Sequence, residues 1–162
     1  EFPLFFYTFG TLLSTALWGF CSCLITAAST HLFQEALRGI TGANFNIPWM
    51  ICSLSSVITL SLMIRFDLFN TFIHAVLTTI LITLANSITG AFVATLLFSG
   101  ITIHPVDYIM TAFISVGQSF FSASFWARIP VNLIDKGIAV FIVFSITYLS
   151  NAKSSASEGE PQ

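Results

Sequence analysis

Ionisable and amide side chains are scarce in this sequence, and most of those inside its apolar stretches fall into two groups with helical spacing. One is Arg128-Ile129-Pro130-Val131-Asn132-Leu133-Ile134-Asp135-Lys136. Asn132 lies three residues before Asp135 and four before Lys136, so on a helix all three share a face. Charges are costly in hydrocarbon, which makes each a candidate site. Such a face can wall a polar pocket, contact a partner, or anchor a helix start at the membrane interface. Pro130 suits a first helical turn, and Asp135 close behind it suits the positive end of the helix dipole.

The other group is Arg65, Asp67, Asn70 and His74. Asp67, Asn70 and His74 follow an i, i+3, i+7 pattern, again one helical face. Arg65 and Asp67 are placed to pair at the interface. His74, one turn deeper, can bind a ligand or partner, or pack with a hydrogen bond. Two amides, Asn86 and Gln118, fall in the middle of apolar runs, Gln118 with Ser115 and Ser122 within a turn. They suit interhelical hydrogen bonds, worth about 0.6 kcal/mol each, or ligand contacts. The candidate ligand-binding residues are therefore Asn86, Gln118, Asn132, Asp135, Lys136 and His74.

Other chemistry lacks its motifs. There is no P-loop, no H-E-x-x-H and no G-x-S-x-G, so neither catalysis nor ATP binding is expected of the chain itself. His104-Pro105-Val106-Asp107 brings an imidazole near a carboxylate, too few ligands for a metal. Cys21, Cys23 and Cys52 sit in apolar runs as small packing residues, and Cys21-x-Cys23 is neither a redox nor a zinc spacing. No cofactor is expected.

The elements that position these residues follow from composition. Of 162 residues, 56% are hydrophobic and 7% charged, with mean hydropathy +0.91. A soluble domain is about a quarter charged, and five Lys and Arg make no basic footprint for nucleic acid. The fold class is an all-α integral membrane protein. The net charge of −2 says little, because Glu1, Glu158 and Glu160 lie at the ends. The chain opens on Glu1 rather than Met, which fits a piece lacking an N-terminal helix, and no cleavable signal peptide is legible.

Apolar length predicts about five spans, at residues 4–28, 48–64, 68–98, 108–126 and 131–150, in one domain covering 1–150. Between the first two, Ser29-Thr30-His31 can cap a short interfacial amphipathic helix that carries Glu35 and Arg38 and ends at Gly39 and Gly42. The fifth span starts at Pro130. The polar tail, 151–162, reads as disordered. Five spans put Arg65, Arg128 and Lys136 on one side, and Arg38 and Lys153 on the other, which favours the first side as cytoplasmic. They also put both polar groups on that same side.

Small residues recur every fourth position: Thr11, Thr15, Gly19, Cys23 and Ala27 in the first span; Ala75, Thr79, Thr83, Ser87, Ala91, Thr95 and Ser99 in the third; Thr111, Ser115, Ser119, Ala123 and Ala127 in the fourth. Such stripes let helices approach closely in lipid, within one bundle or against another subunit. Thr15, Gly19, Cys23 and Ala27 are the candidates for docking a partner membrane subunit.

The run from Arg128 through Pro130, Asn132, Asp135 and Lys136 to Gly137-Ile138-Ala139-Val140 follows a pattern close to P-x-N-x-x-D-K. It resembles the start of the last helix in substrate-capture (S) components of energy-coupling-factor vitamin transporters, and of related membrane sensor domains. The resemblance covers about a dozen residues, with size and hydropathy in loose agreement. It implies a bundle of about six helices in a bacterial inner (plasma) membrane. Such a bundle binds a vitamin or similar small solute near its outer face. Small residues of its first helix dock on a transmembrane coupling subunit driven by two ATPases. Two features depart from the family. The Ala-x-x-x-Ala docking motif is replaced by Thr15, Gly19, Cys23 and Ala27, and five spans are legible. The expected function is a membrane-embedded solute-binding component of a multi-subunit transporter. The alternatives are a structural subunit of a larger membrane complex, or a membrane sensor domain.

Overall fold

The computed structural model describes residues 7–41, 47–98 and 106–158. The His104-Pro105 part of the loop motif, Gly42 and Ser99 lie outside the described residues. The described chain is helical, with no strand among those residues. Its helices are α1 (Tyr7–Trp18), α2 (Phe20–Thr41), α3 (Met50–Arg65, led in by a 3-10 turn at Ile47–Trp49), α4 (Phe72–Leu97), α5 (Val106–Ser115) and α6 (Phe120–Glu158). Among the described residues, three stretches are long and apolar enough to cross a membrane: Ile47–Arg65, Phe72–Leu97 and Phe120–Ser150.

Two glycines divide the remaining apolar sequence differently from the prediction. Gly19, at φ 82, ends α1 and starts α2 in the middle of the first expected span. A side chain would strain this backbone, and glycine adopts it freely. The chain folds back there, so that the hydroxyls of Ser14 and Thr26 come within 3.1 Å. Gly117, at φ 89, closes α5 in the same way. Its N–H reaches the Ile114 carbonyl, and the Gln118 N–H reaches that of Phe113, the paired bonds of a Schellman cap. Ser119 then caps α6, accepting from the Ser122 N–H at 3.3 Å.

Three expectations are corrected by this division. The break between the fourth and fifth expected spans falls at 116–119, not before Pro130. Helix α6 passes through Pro130, which removes the N–H that would reach back one turn and sets its ring against the carbonyl four residues earlier. Asp135 is therefore in mid-helix, and the dipole argument for it does not apply. The interfacial helix expected over 29–46 is the continuation of α2, which runs unbroken through Ser29-Thr30-His31 and past Gly39 to Thr41. Finally, α6 continues to Glu158, over most of the tail expected to be disordered.

Helix α4 runs unbroken past Asn86 and Gly90. It packs antiparallel along α6: the Phe72 ring meets Phe141 at 5.4 Å, and Phe92 meets Phe121 at 5.0 Å. Helix α3 lies against α4, α1 packs against α2, α3 and α6, and α5 packs against α6. The bundle is built with small and polar groups inside and large apolar groups outside. Ala75, Thr79, Thr83, Ser87 and Ala91 of the α4 stripe are buried, whereas Ile73, Leu96 and Leu97 face outward. A helix in lipid has no solvent reason to hide its large side chains, and small ones permit close backbone approach. One apolar cluster joins Leu12, Leu60, Ile82, Val140 and Val143. A second, of Val106, Met110, Ala123 and Ala127, holds α5 on α6.

Candidate functional site

The inward face of α6 changes character along its length. Ala139, Val140 and Val143 fill the core. One to four turns earlier, Arg128, Asn132, Asp135 and Lys136 occupy the same side and are all buried. Asn132, Asp135 and Lys136 do share a face, and it points into the seam with α4 and α1. Asn132 donates from Nδ2 to the Ser87 hydroxyl of α4 at 3.1 Å. Lys136 Nζ donates to Asp135 Oδ2 at 2.6 Å and to Thr8 Oγ1 of α1 at 2.5 Å. Gly137 lets Thr79 approach, its methyl lying 3.5 Å from where a Cβ would stand.

Asn86 extends the row across α4. Its Nδ2 donates to Ser56 Oγ of α3 at 2.5 Å and to the Ile82 carbonyl at 3.1 Å. This is an interhelical bond of the kind buried amides make in membranes. The Thr83 hydroxyl, one turn from Asn86 on α4, is buried without a hydrogen-bond partner.

Arg128 is only 6% exposed. Its Nη1 donates to the Ser124 carbonyl at 3.1 Å and to the Ser124 hydroxyl. The guanidinium carbon stands 5.4 Å from the centre of the Trp49 ring, within cation–π reach, and Trp49 is itself stacked on Phe98 at 5.8 Å. Gly90 makes the space: a Cβ there would come within 3.0 Å of Arg128 Cδ and Nε. An ion pair joins Lys136 to Asp135. No carboxylate of the described residues pairs with Arg128. Asp107, in the first turn of α5, acts on it only through space.

The other candidates lie elsewhere. Gln118 is not mid-span but in the α5–α6 turn, where its Oε1 accepts from Ser122 Oγ at 2.9 Å. His74 is in the first turn of α4, half-buried, with Nδ1 2.8 Å from Asn70 Oδ1. Asp67 and Asn70 are in the α3–α4 connection, not on a helix face, and Arg65 and Asp67 form no ion pair. Asp67 adopts φ 56, where Asp is tolerated better than most residues. It occupies the cap position that glycine usually fills: its own N–H bonds to the Ile64 carbonyl, and the Leu68 N–H bonds to that of Met63.

The two polar groups do not meet. Phe69 and Phe72 lie beside Phe144 and Phe141, near the C-terminal end of the α6 span, while Arg128 lies against Gly90. From Phe72 to Gly90, α4 rises about 27 Å at 1.5 Å per residue. Arg128 therefore sits toward the opposite end of the bundle from the α3–α4 connection, contrary to the shared side expected from five spans, and Lys136, next to Gly137 where α6 meets Thr79, lies between the two ends. An open cavity of ≈ 620 Å³ borders Asp67, Asn70, Phe144 and Tyr148 at the end that holds this connection.

Three of the four docking candidates are engaged within the chain. Thr15, Cys23 and Ala27 are buried in the α1–α2–α3 packing, and Gly19 alone is exposed at the hairpin turn. Sequence reasoning missed the residues that complete the row, Thr8, Ser56 and Ser87, and a buried contact between His31 Nε2 and Ser53 Oγ at 2.8 Å. Ser87 was within reach of the sequence, as a member of the α4 stripe. No family model, curated protein or solved structure matches the chain.

Proposed function

We propose that this chain is a membrane-embedded solute-binding component of a multi-subunit transporter, and that Arg128 holds the acidic group of a small, vitamin-like solute. The observation that carries the reading is the state of Arg128. A guanidinium buried in an apolar bundle is expensive unless it is paired. Its partners among the described residues are the neutral Ser124 and the Trp49 ring, and only one of its nitrogens donates to them. An incoming carboxylate or phosphate supplies the missing countercharge and accepts from the remaining donors as a bidentate pair. Trp49 and Phe98 offer a flat apolar wall for the body of the same solute, the usual mixture in small-molecule sites.

On this reading α3, α4 and α6 cross a bacterial inner membrane, with the α1–α2 hairpin and α5 completing the bundle. The chain binds and a partner subunit moves the solute. The buried row of Asn132, Asp135, Lys136 and Asn86 braces the helix that presents Arg128.

Equilibrium binding of small carboxylate-bearing vitamins and their uncharged amides to the detergent-purified protein tests this. An acid is expected to bind, its amide to bind at least tenfold more weakly, and Arg128→Gln to erase the difference. Equal binding of acid and amide removes Arg128 from the site. Absence of binding across the panel favours the second reading, a structural subunit. The observation behind that reading is that Asn132, Asp135 and Lys136 all find partners inside the chain.

A further inference from the structure

A second cavity lies on the lipid-facing side, far from Arg128. It is a groove of ≈ 490 Å³ between the Gly19 turn of the α1–α2 hairpin and the last two turns of α3. This is within the size range of small-molecule sites, about 300–1,000 Å³. Phe20, Ile58 and Leu62 give it apolar walls, and Ile58 and Leu62 are each about half exposed (48% and 46%). Ser61 and Leu62 lie three and four residues after Ile58, and Arg65 lies four after Ser61 and three after Leu62, so they form a single stripe down α3.

Two polar groups on that stripe lack partners. The Ser61 hydroxyl oxygen is buried and makes no hydrogen bond, although it lines the groove. Arg65 closes the groove at the end of α3, exposed and without an ion pair, Asp67 included. Its position in the last turn suits the helix dipole and leaves its own five donors unspent. The groove thus runs from an apolar floor to a hydroxyl and then to a cation at the helix end. An end of a membrane-spanning helix lies at headgroup depth, where a single Arg attracts anionic lipid.

We infer that this groove is a binding site for one anionic phospholipid, with an acyl chain along Phe20, Ile58 and Leu62, Ser61 donating to a glycerol-ester or phosphate oxygen, and Arg65 on the phosphate. The site is independent of the solute reading, since it shares no residue with the surroundings of Arg128 described above.

Native mass spectrometry of the full chain in mixed micelles tests it, with phosphatidylglycerol and phosphatidylcholine of identical acyl chains as competing probes. Phosphatidylglycerol is expected to be retained about fivefold more strongly, the factor expected of one interfacial Arg. Arg65→Gln is expected to remove that preference while leaving phosphatidylcholine retention unchanged, and Arg65→Lys to keep most of it. Leu62→Trp, which fills the groove without touching charge, is expected to reduce retention of both lipids. Equal retention of the two lipids by the unaltered protein overturns the proposal. So does a preference that survives Arg65→Gln. A preference lost with Arg65, while Leu62→Trp leaves the retention of both lipids unchanged, also overturns it, because that outcome is surface attraction without a groove. Melting temperatures within a degree or two of the parent separate these outcomes from misfolding.

Discussion

The Arg128–Lys136 row and the Arg65–His74 group look alike as sequence and differ in nearly every physical respect. Both combine a cation, a carboxylate and an amide at helical spacing. The first lies within one long helix whose polar side turns inward against α4 and α1. The second straddles the end of α3, a connection and the start of α4, and most of it is exposed. Burial changes what a charge is worth. Exposed pairs contribute about 0–1 kcal/mol, whereas removing one partner of a buried pair costs about 3–5 kcal/mol. The same residue types therefore act as structure and candidate site in one place, and as surface in the other.

The sharpest way to break this comparison is Lys136→Met. It leaves the Asp135 carboxylate buried without its cation, and a loss of about 3–5 kcal/mol is expected. Adding Asp135→Asn should restore most of it, since no uncompensated charge then remains. Thermal unfolding in detergent measures both. A small loss for the single variant would erase the distinction between the two groups. Gly90→Ala is next: its Cβ meets Arg128 Cδ and Nε at 3.0 Å, and about 1–3 kcal/mol of overpacking is expected, together with weaker solute binding.

In the exposed group the signs reverse or vanish. Asp67→Gly relieves the left-handed backbone at φ 56 and should stabilise by about 0.5–1 kcal/mol, read as a raised melting temperature. His74→Ala removes one partly exposed bond to Asn70 and should change stability by less than about 0.5 kcal/mol. A loss above 2 kcal/mol there would show that the exposed group bears load as the buried one does.

The helical class and the three long apolar helices are legible in the sequence because apolar length alone reports them. The shared face of Asn132, Asp135 and Lys136 is legible too, since periodicity within one helix needs no tertiary knowledge. The two hairpins are not. Gly19 and Gly117 lie inside continuous apolar runs, and nothing local marks them as left-handed. That one ambiguity moved Gln118 from mid-span to a turn, turned Pro130 from a helix start into a helix interior, and put the two charged groups on one side. The partners of the row escaped for a different reason. Thr8, Ser56 and Ser87 are ordinary small residues whose meaning depends on which helix faces which. Arg128 stood in the recognised run, but Gly90 and Trp49, which bury its side chain, lie far away in sequence.

If an anionic solute completes the buried Arg128 guanidinium, it should travel with the purified protein. Intact-complex mass spectrometry tests this most directly, on protein purified in mild detergent with no ligand added. The expected result is a small acidic mass retained by the parent and missing from Arg128→Gln protein of normal melting temperature. A parent that carries no such mass, and gains none when small acids are supplied, contradicts it. So does a mass held equally by the variant.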